Sequence, residues 1–370
     1  MMRFNSLTMT DRIELDKITT SAPGRICLFG EHQDYFGLPV IPAAIDLRIS
    51  ITGERRSDRI FVIEMPDINS RDEFPLDDEI PYVAERDYIR SAVNVLKRRG
   101  VNIKYSYNCT VHGDIPINSG TASSSALCVA WVKFLLEISG HPDKDNPEQI
   151  AYLAYLAEVE EFNEPGGMMD HNASAIGNIV YVEFKPEFQV TRLPSKFGTF
   201  VLGDSLQEKD TKKTLARIKK GVLDAIQKMQ TISPDFTLAG ASPDEMRPSM
   251  MSLPDDERLL LEGTMMSRDI VHTAKELLIS GTMDDRTFGE MLNAQQKVIR
   301  HNLRTSTPKL DAIIDAAIGA GALGGKVNGS GEGGCMFAYA PSNPDKVAKA
   351  IENAGGKPYI IKIGDGLRFY

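Results

Sequence analysis

Residues 22–42 read APGRICLFGEHQDYFGLPVIP, and the fold and the chemistry both hang on how this stretch is understood. Ile26, Cys27, Leu28 and Phe29 form a strand-like apolar run that ends at Gly30. Glu31, His32 and Asp34 follow at once, and Gly37 turns the chain back toward a second apolar stretch. Two carboxylates and an imidazole at the end of a buried strand are costly unless they meet a polar ligand or each other. All three accept hydrogen bonds from hydroxyl groups, so a small polyol or sugar is a natural ligand. Arg25, just upstream, is a permanent cation suited to phosphate or to a neighbouring carboxylate. Alone, the stretch reads first as a strand end with a solvated acidic turn. Its companions decide.

The first companion is residues 116–126, PINSGTASSSA, between a strand-like segment (103–111) and an apolar helix (126–138). Small residues let a backbone approach a ligand closely, and consecutive amides ahead of a helix make an anion-binding nest. Gly120, Thr121, Ala122, Ser123, Ser124 and Ser125 therefore form a candidate phosphate loop. A serine cap would explain one of these hydroxyls but not three in a row. No GxxxxGK[ST] occurs, and Lys326 is followed by valine, which excludes P-loop chemistry.

The second companion, residues 326–335 (KVNGSGEGGC), contains a formal GxGxxG at Gly329, Gly331 and Gly334. It runs into an apolar strand rather than opening a helix, so the dinucleotide-binding reading fails. The chain also lacks the HRD and DFG of protein kinases. In the third, Glu158 and Glu161 lie three apart on one helix face, and the break Pro165-Gly166-Gly167 delivers Asp170 from a loop. Such a carboxylate can orient or deprotonate a hydroxyl, and a helix glutamate can hold Mg²⁺.

At 370 residues the chain has room for two domains. A net charge of −9 argues against sequence-independent nucleic-acid binding, and no apolar run is long enough for a membrane span. The N-terminal residues show no apolar core of a secretory signal, which points to the cytoplasm. Cys27, Cys109, Cys128 and Cys335 are widely spaced and read as buried thiols, and the six histidines make no HxxxH pair. Helical periodicity marks 88–98, 126–138, 148–161, about 209–230, 255–279, 285–301, 308–319 and 344–353. Strands are expected near 178–184, 197–202, 335–339 and 357–363, with a glycine loop at 324–334. This alternation gives an α+β class with a boundary near residues 190–205.

In this order the four segments resemble the GHMP kinases, named for galactokinase, homoserine kinase, mevalonate kinase and phosphomevalonate kinase. APGRICLFGEHQDY is close to the galactokinase form of the first motif, and PINSGTASSS looks like PxxxGLxSS[AS] with Thr121 for leucine. GGKVNGSGEGGC resembles the third motif, and GGMMDH is similar to galactokinase GIMDQ. The resemblance covers roughly residues 20–365 and implies a two-domain fold. Residues 1–200 would be a ribosomal S5-like α/β domain and residues 201–370 a ferredoxin-like domain, with the site between them. It implies Arg25 and Asp170 as catalytic residues and Glu31, His32 and Asp34 as sugar contacts. Gly120 through Ser125, with Gly329 and Gly331, would cover the triphosphate of ATP. Ser124 would hold Mg²⁺ with Glu158, or with Glu161 under a one-residue change of register.

The segment 203–214 lacks the tyrosine that galactokinases place against the sugar, and its DS…KDTKKT pattern is nearer the DS…RST of mevalonate-type members. The resemblance thus implies an ATP-dependent kinase of a sugar hydroxyl, galactokinase-type at C1. A mevalonate-like kinase and a non-catalytic sugar and ATP sensor are the alternatives. The partners implied are a small sugar and ATP, with no nucleic acid or membrane, in a monomer or homodimer.

Overall fold

The computed structural model describes residues 16–117, 119–194 and 197–370. The N-terminal stretch 1–15, Asn118 of the serine loop and residues 195–196 at the expected boundary lie outside the described residues. β1 (Lys17–Phe29) and β2 (Ile41–Arg55) form the antiparallel centre of the first sheet, with Thr19 opposite Thr52. β3 (Ile60–Met65) and β4 (Ser70–Pro75) make a hairpin, and β3 runs parallel to β5 (Tyr107–Gly113), which pairs with β2. β6 (Ile179–Glu183) touches β2 and pairs with β7 (Gln189–Leu193).

The second sheet holds β8 (Phe200–Asp204), β9 (Gly324–Val327), β10 (Cys335–Tyr339) and β11 (Lys357–Ile361), in the order β11-β8-β10-β9 and antiparallel throughout. With helices between β8 and β9 and again between β10 and β11, this is the β-α-β-β-α-β order of ferredoxin-like units. β12 (Arg368–Phe369) then crosses back to the first sheet, with Thr20 opposite Phe369. The last residues therefore pair outside the 201–370 unit to which the sequence assigned them.

Helix α1 (Tyr88–Arg98) and α2 (Ser123–Ser139) pack together, and Trp131 of α2 donates its Nε1–H to Ile89 O at 3.0 Å. α2 is apolar nearly all round because it lies inside the first core, with Trp131, Phe134 and Leu135 fully buried. Then come α3 (Pro147–Tyr155) and α4 (Met169–Ile176). The second half contributes α5 (Thr211–Ile232), α6 (Pro243–Met250), α7 (Asp255–Ser280), α8 (Asp285–Val298), α9 (Pro308–Gly319) and α10 (Pro344–Asn353). A further core joins the halves. Ile26, Leu28 and Phe29 of β1 pack with Phe200, Phe288 and Phe337. Among the described residues no helix is long and apolar enough to cross a membrane, and the four cysteines are free and buried.

Three expectations are corrected. The glycine loop placed at 324–334 begins with strand β9, because Gly324–Val327 pair with β10. Asp170 sits in the first turn of α4, not in a loop. The helix expected over 148–161 is α-helical only to Tyr155 and closes with a π-helical turn, Leu156–Glu160, in which Glu161 N donates to Leu156 O at 2.9 Å. One wide turn breaks the 3.6-residue register, so Glu158 and Glu161 no longer share a face. Segments that alternate weakly, β7 and α6, escaped the periodicity.

Because Trp131 fills the first core and its N–H is satisfied, Trp131→Ala should cost about 3–5 kcal/mol. Trp131 is the only tryptophan, so a urea melt followed by far-UV circular dichroism is the check.

Candidate active site

A register shift in the β1–β2 ladder between Pro23 and Arg25 re-aims the strand as it passes beneath the serine loop. Gly24 leaves room for that loop, since a Cβ there would lie 2.8 Å from Thr121 O, and Arg25 N donates to Thr121 O at 3.0 Å. The buried Arg25 guanidinium then holds Asp170 with a two-pronged ion pair, Nε to Oδ1 at 2.7 Å and Nη2 to Oδ2 at 2.8 Å. Its Nη1 donates to Gly120 O. Asn328 ties the same parts together, accepting from Cys27 N and donating to Gly120 O, each at 2.9 Å. Strand β1, the serine loop and the third glycine segment thus meet around one cavity of about 360 Å³.

On one side the serine loop presents a helix start with no side-chain cap. Ala122, which opens the helix, holds a left-handed φ of 59°, a conformation that costs an alanine about 1–2 kcal/mol. Uncapped amides and the helix dipole together favour an anion there. Ser123, Ser124 and Ser125 line the cavity with Gly120, Ala122, Gly329 and Ser330. Two expected residues do not. Thr121 turns inward, bonding Ser119 Oγ at 2.8 Å, and Gly331 packs on Thr305, whose carbonyl would be 2.5 Å from an added Cβ.

Lys209, which the sequence reading passed over, reaches between the two glycine segments. A Cβ on Gly120 would lie 2.9 Å from its Nζ, which donates to Ser330 Oγ at 3.2 Å. Burial, then the nearby Arg25 charge, pull its pKa down to about 8, and it forms no ion pair among the described residues. A cation so placed calls for an anionic ligand.

On the opposite side stand Glu31, His32 and Asp34. Glu31 is met by the wholly buried Lys326, whose other donors go to Cys27 O at 2.9 Å and Val327 O at 3.0 Å, while Glu31 Oε2 has no partner. Burial pulls the Lys326 ammonium below its ordinary value, and the facing carboxylate supplies the pairing that a buried charge requires. His32 bridges Tyr35 Oη at 3.0 Å and Ser330 O at 3.1 Å. The carbonyl only accepts, so Nε2 carries the hydrogen and Nδ1 accepts from tyrosine. Burial lowers the His32 pKa to about 4, which keeps the ring neutral. His32 is thus occupied by Tyr35 of its own loop and by the glycine segment that carries Ser330. Asp34 Oδ2 accepts from Met169 N at 3.3 Å, and burial together with the nearby Asp170 charge raises its pKa to about 6. Gly167 is obligatory beneath it, because a Cβ would fall 2.1 Å from Asp34 Oδ2.

Of the two candidate cation ligands, Glu158 lines the cavity and Glu161 is bonded away to Tyr82 and Arg98. Burial pushes the Glu158 carboxyl up, but the bonded His171 imidazole, and after it the nearby Ser124 and Ser125 hydroxyls, outweigh it and leave the pKa lowered. An ionised carboxylate beside a hydroxyl and an uncapped helix start fits a hard cation bound jointly with phosphate. No group of three or more His, Cys, Asp or Glu among the described residues forms a cage on its own.

Since the folded state raises the Asp34 pKa from 3.8 to about 6, folding binds a proton there, and this carboxylate lowers stability as pH rises through that window. Asp34→Asn should therefore raise the melting temperature at pH 7.5, with the gain vanishing below about pH 4, as checked by melting curves across pH.

Three family models match the chain: "GHMP kinases N terminal domain" over residues 87–178, "GHMP kinases C terminal" over 274–357 and "Galactokinase galactose-binding signature" over 11–55. A mevalonate kinase of Thermococcus onnurineus is 30% identical over 95% of this chain and 98% of its own. A galactokinase of Haemophilus influenzae is 26% identical over 91% and 89%. Among solved structures, Lactococcus lactis galactokinase complexed with galactose superposes with a TM-score of 0.83 at 21% identity, covering 95% of each chain. Methanococcus jannaschii mevalonate kinase does so at 0.71 and 17% identity, covering 94% of this chain and 98% of that one. With its α+β halves, the chain belongs to the GHMP kinase family, phosphotransferases that act on alcohol groups.

Proposed function

We propose that the protein is an ATP-dependent kinase of a neutral sugar, galactokinase-type in phosphorylating the C1 hydroxyl. The observation that carries this reading is the charge balance at the acceptor end of the cavity. Arg25 is committed to Asp170 and Lys326 to Glu31, while Asp34 and Glu31 Oε2 remain as acceptors. Hydroxyl donors satisfy such a surface; a carboxylate does not. The match to the galactose-binding signature supports the same view.

In this reading the serine loop and Lys209 take the triphosphate, and Asp170 sits where it accepts the proton of the attacking hydroxyl. The acceptor oxygen forms a bond to the γ-phosphorus as the bond to the β-phosphate bridging oxygen breaks, and ADP leaves with the electron pair. Arg25 fixes both oxygens of Asp170, so the carboxylate is pre-oriented for that transfer. Glu158 and Ser124 would hold Mg²⁺, which neutralises charge on the phosphate oxygens when bound.

Lys209 favours a second reading, a mevalonate-type kinase, because an unpaired cation also suits an acidic acceptor and the relatives at 30% identity are named mevalonate kinases. Lys209→Met separates the two. A sugar kinase should lose affinity for ATP and keep its acceptor KM, whereas a mevalonate-type kinase should lose acceptor affinity.

An ADP-release screen over hexoses, pentoses, uronic acids, heptose phosphates and mevalonate tests the proposal directly. Turnover is expected with a neutral aldose; turnover with mevalonate alone overturns it, and none with any acceptor favours the sensor. Asp170→Asn should lower kcat about 10²–10⁴-fold. Acceptor KM should rise as pH falls through about 6, since protonated Asp34 is a poorer acceptor.

A further inference from the structure

The sequence segment GGMMDH carries a histidine where the galactokinase pattern GIMDQ has glutamine, and the proposed chemistry leaves His171 without a role. Its ring is 1% exposed, on the first turn of α4 directly after Asp170. Nε2 lies 2.7 Å from Glu158 Oε2, and Nδ1 has no partner. The ring packs edge-on against Tyr155, centroids 5.7 Å apart, so it is held on its face as well as at its tip. An ionised carboxylate only accepts, so Nε2 carries the hydrogen and donates it. The one hydrogen bond this imidazole makes among the described residues is spent on Glu158.

Glu158 stands on the π-helical turn Leu156–Glu160, a local widening of the backbone of the kind found frequently at functional sites. The Ser124 and Ser125 hydroxyls lie on the same side of the cavity and help to lower the pKa of that carboxyl. Ser124 is exposed at the cavity wall and free to turn to a ligand, whereas His171 is walled in. The rigid donor therefore claims Oε2 of a carboxylate that lines the cavity together with the serine loop.

We infer that His171 is the positioning residue of the cation site: its Nε2–H pins Glu158 Oε2 so that the carboxylate meets a divalent cation through Oε1 alone. The inference rests on the kinase reading of Glu158. It extends that reading by assigning the outer hydrogen bond that sets the ligand's orientation, the kind of contact whose loss typically weakens a metal site 10–100-fold. Because Asp170 and His171 are consecutive on α4, the same short helix fixes both the proton acceptor and the cation ligand.

The test is Mn²⁺ binding, followed by electron paramagnetic resonance with ADP present, to the full chain and to His171→Gln, His171→Leu and Glu158→Gln. Glutamine keeps an N–H donor of similar reach; leucine does not. Wild type and His171→Gln should bind Mn²⁺ alike, His171→Leu should bind about 10–100-fold more weakly, and metal-free ADP affinity should stay unchanged in both His171 variants. Equal Mn²⁺ affinity in His171→Leu overturns the assignment. So does nitrogen hyperfine coupling from the imidazole to Mn²⁺, which would make His171 a direct ligand. If the wild type binds no Mn²⁺, or Glu158→Gln binds it as well as wild type, the cation site itself falls and the inference with it. Should His171→Leu not fold, failure of His171→Gln to match wild-type affinity overturns it independently.

Discussion

A guanidinium buried within a strand imposes its needs on everything around it. Arg25 cannot shed its charge, so the fold must bring it a carboxylate and enough acceptors to use its donors. Asp170 supplies both oxygens, and the Gly120 carbonyl takes another N–H. Those partners come from different parts of the chain, one from the start of α4 and one from the serine loop. Satisfying one cation thus places the proton acceptor and the phosphate cradle relative to each other. Asn328 repeats the logic in neutral form, its amide spanning β1 and the same carbonyl.

The acceptor end shows the opposite economy. Asp34 is kept close to a second carboxylate and against the backbone at Gly167, and Glu31 Oε2 is left without a partner. Each arrangement costs stability in the empty protein, and a ligand bearing hydroxyl donors would relieve it. Ala122 in the left-handed region belongs to the same class of local strain, tolerated because the surrounding packing over-determines it.

Much of this was legible in the sequence. The helices at 88–98 and 344–353 and the strand at 335–339 fall where periodicity put them. The residues Arg25, Asp170, Glu31, His32 and Asp34 converge because motifs that bring costly polar groups to strand ends must meet across a cavity. What stayed hidden depends on tertiary detail. The π-helical turn that separates Glu158 from Glu161 has no compositional mark, and Thr121 turned inward because Ser119 and Pro116 offered it partners. Lys326 and Lys209 were in plain view, yet a lysine's pairing with Glu31, or its lack of a pair, emerges only when distant segments are in place. The strand β9 was masked by its glycines.

The contacts that complete the cavity also set an order of events in synthesis. Glu31 is made early, and the lysine that neutralises it is 295 residues downstream; the amide of Cys27 waits 301 residues for Asn328. β12, which pairs at the edge of the first sheet, is made after every other strand described. A ribosome extending the chain at about 5–20 residues per second leaves the nascent first half for many seconds with Glu31 unpaired and a sheet edge open. The active cleft is therefore completed only once the second half is in place, long after its earliest residues are made.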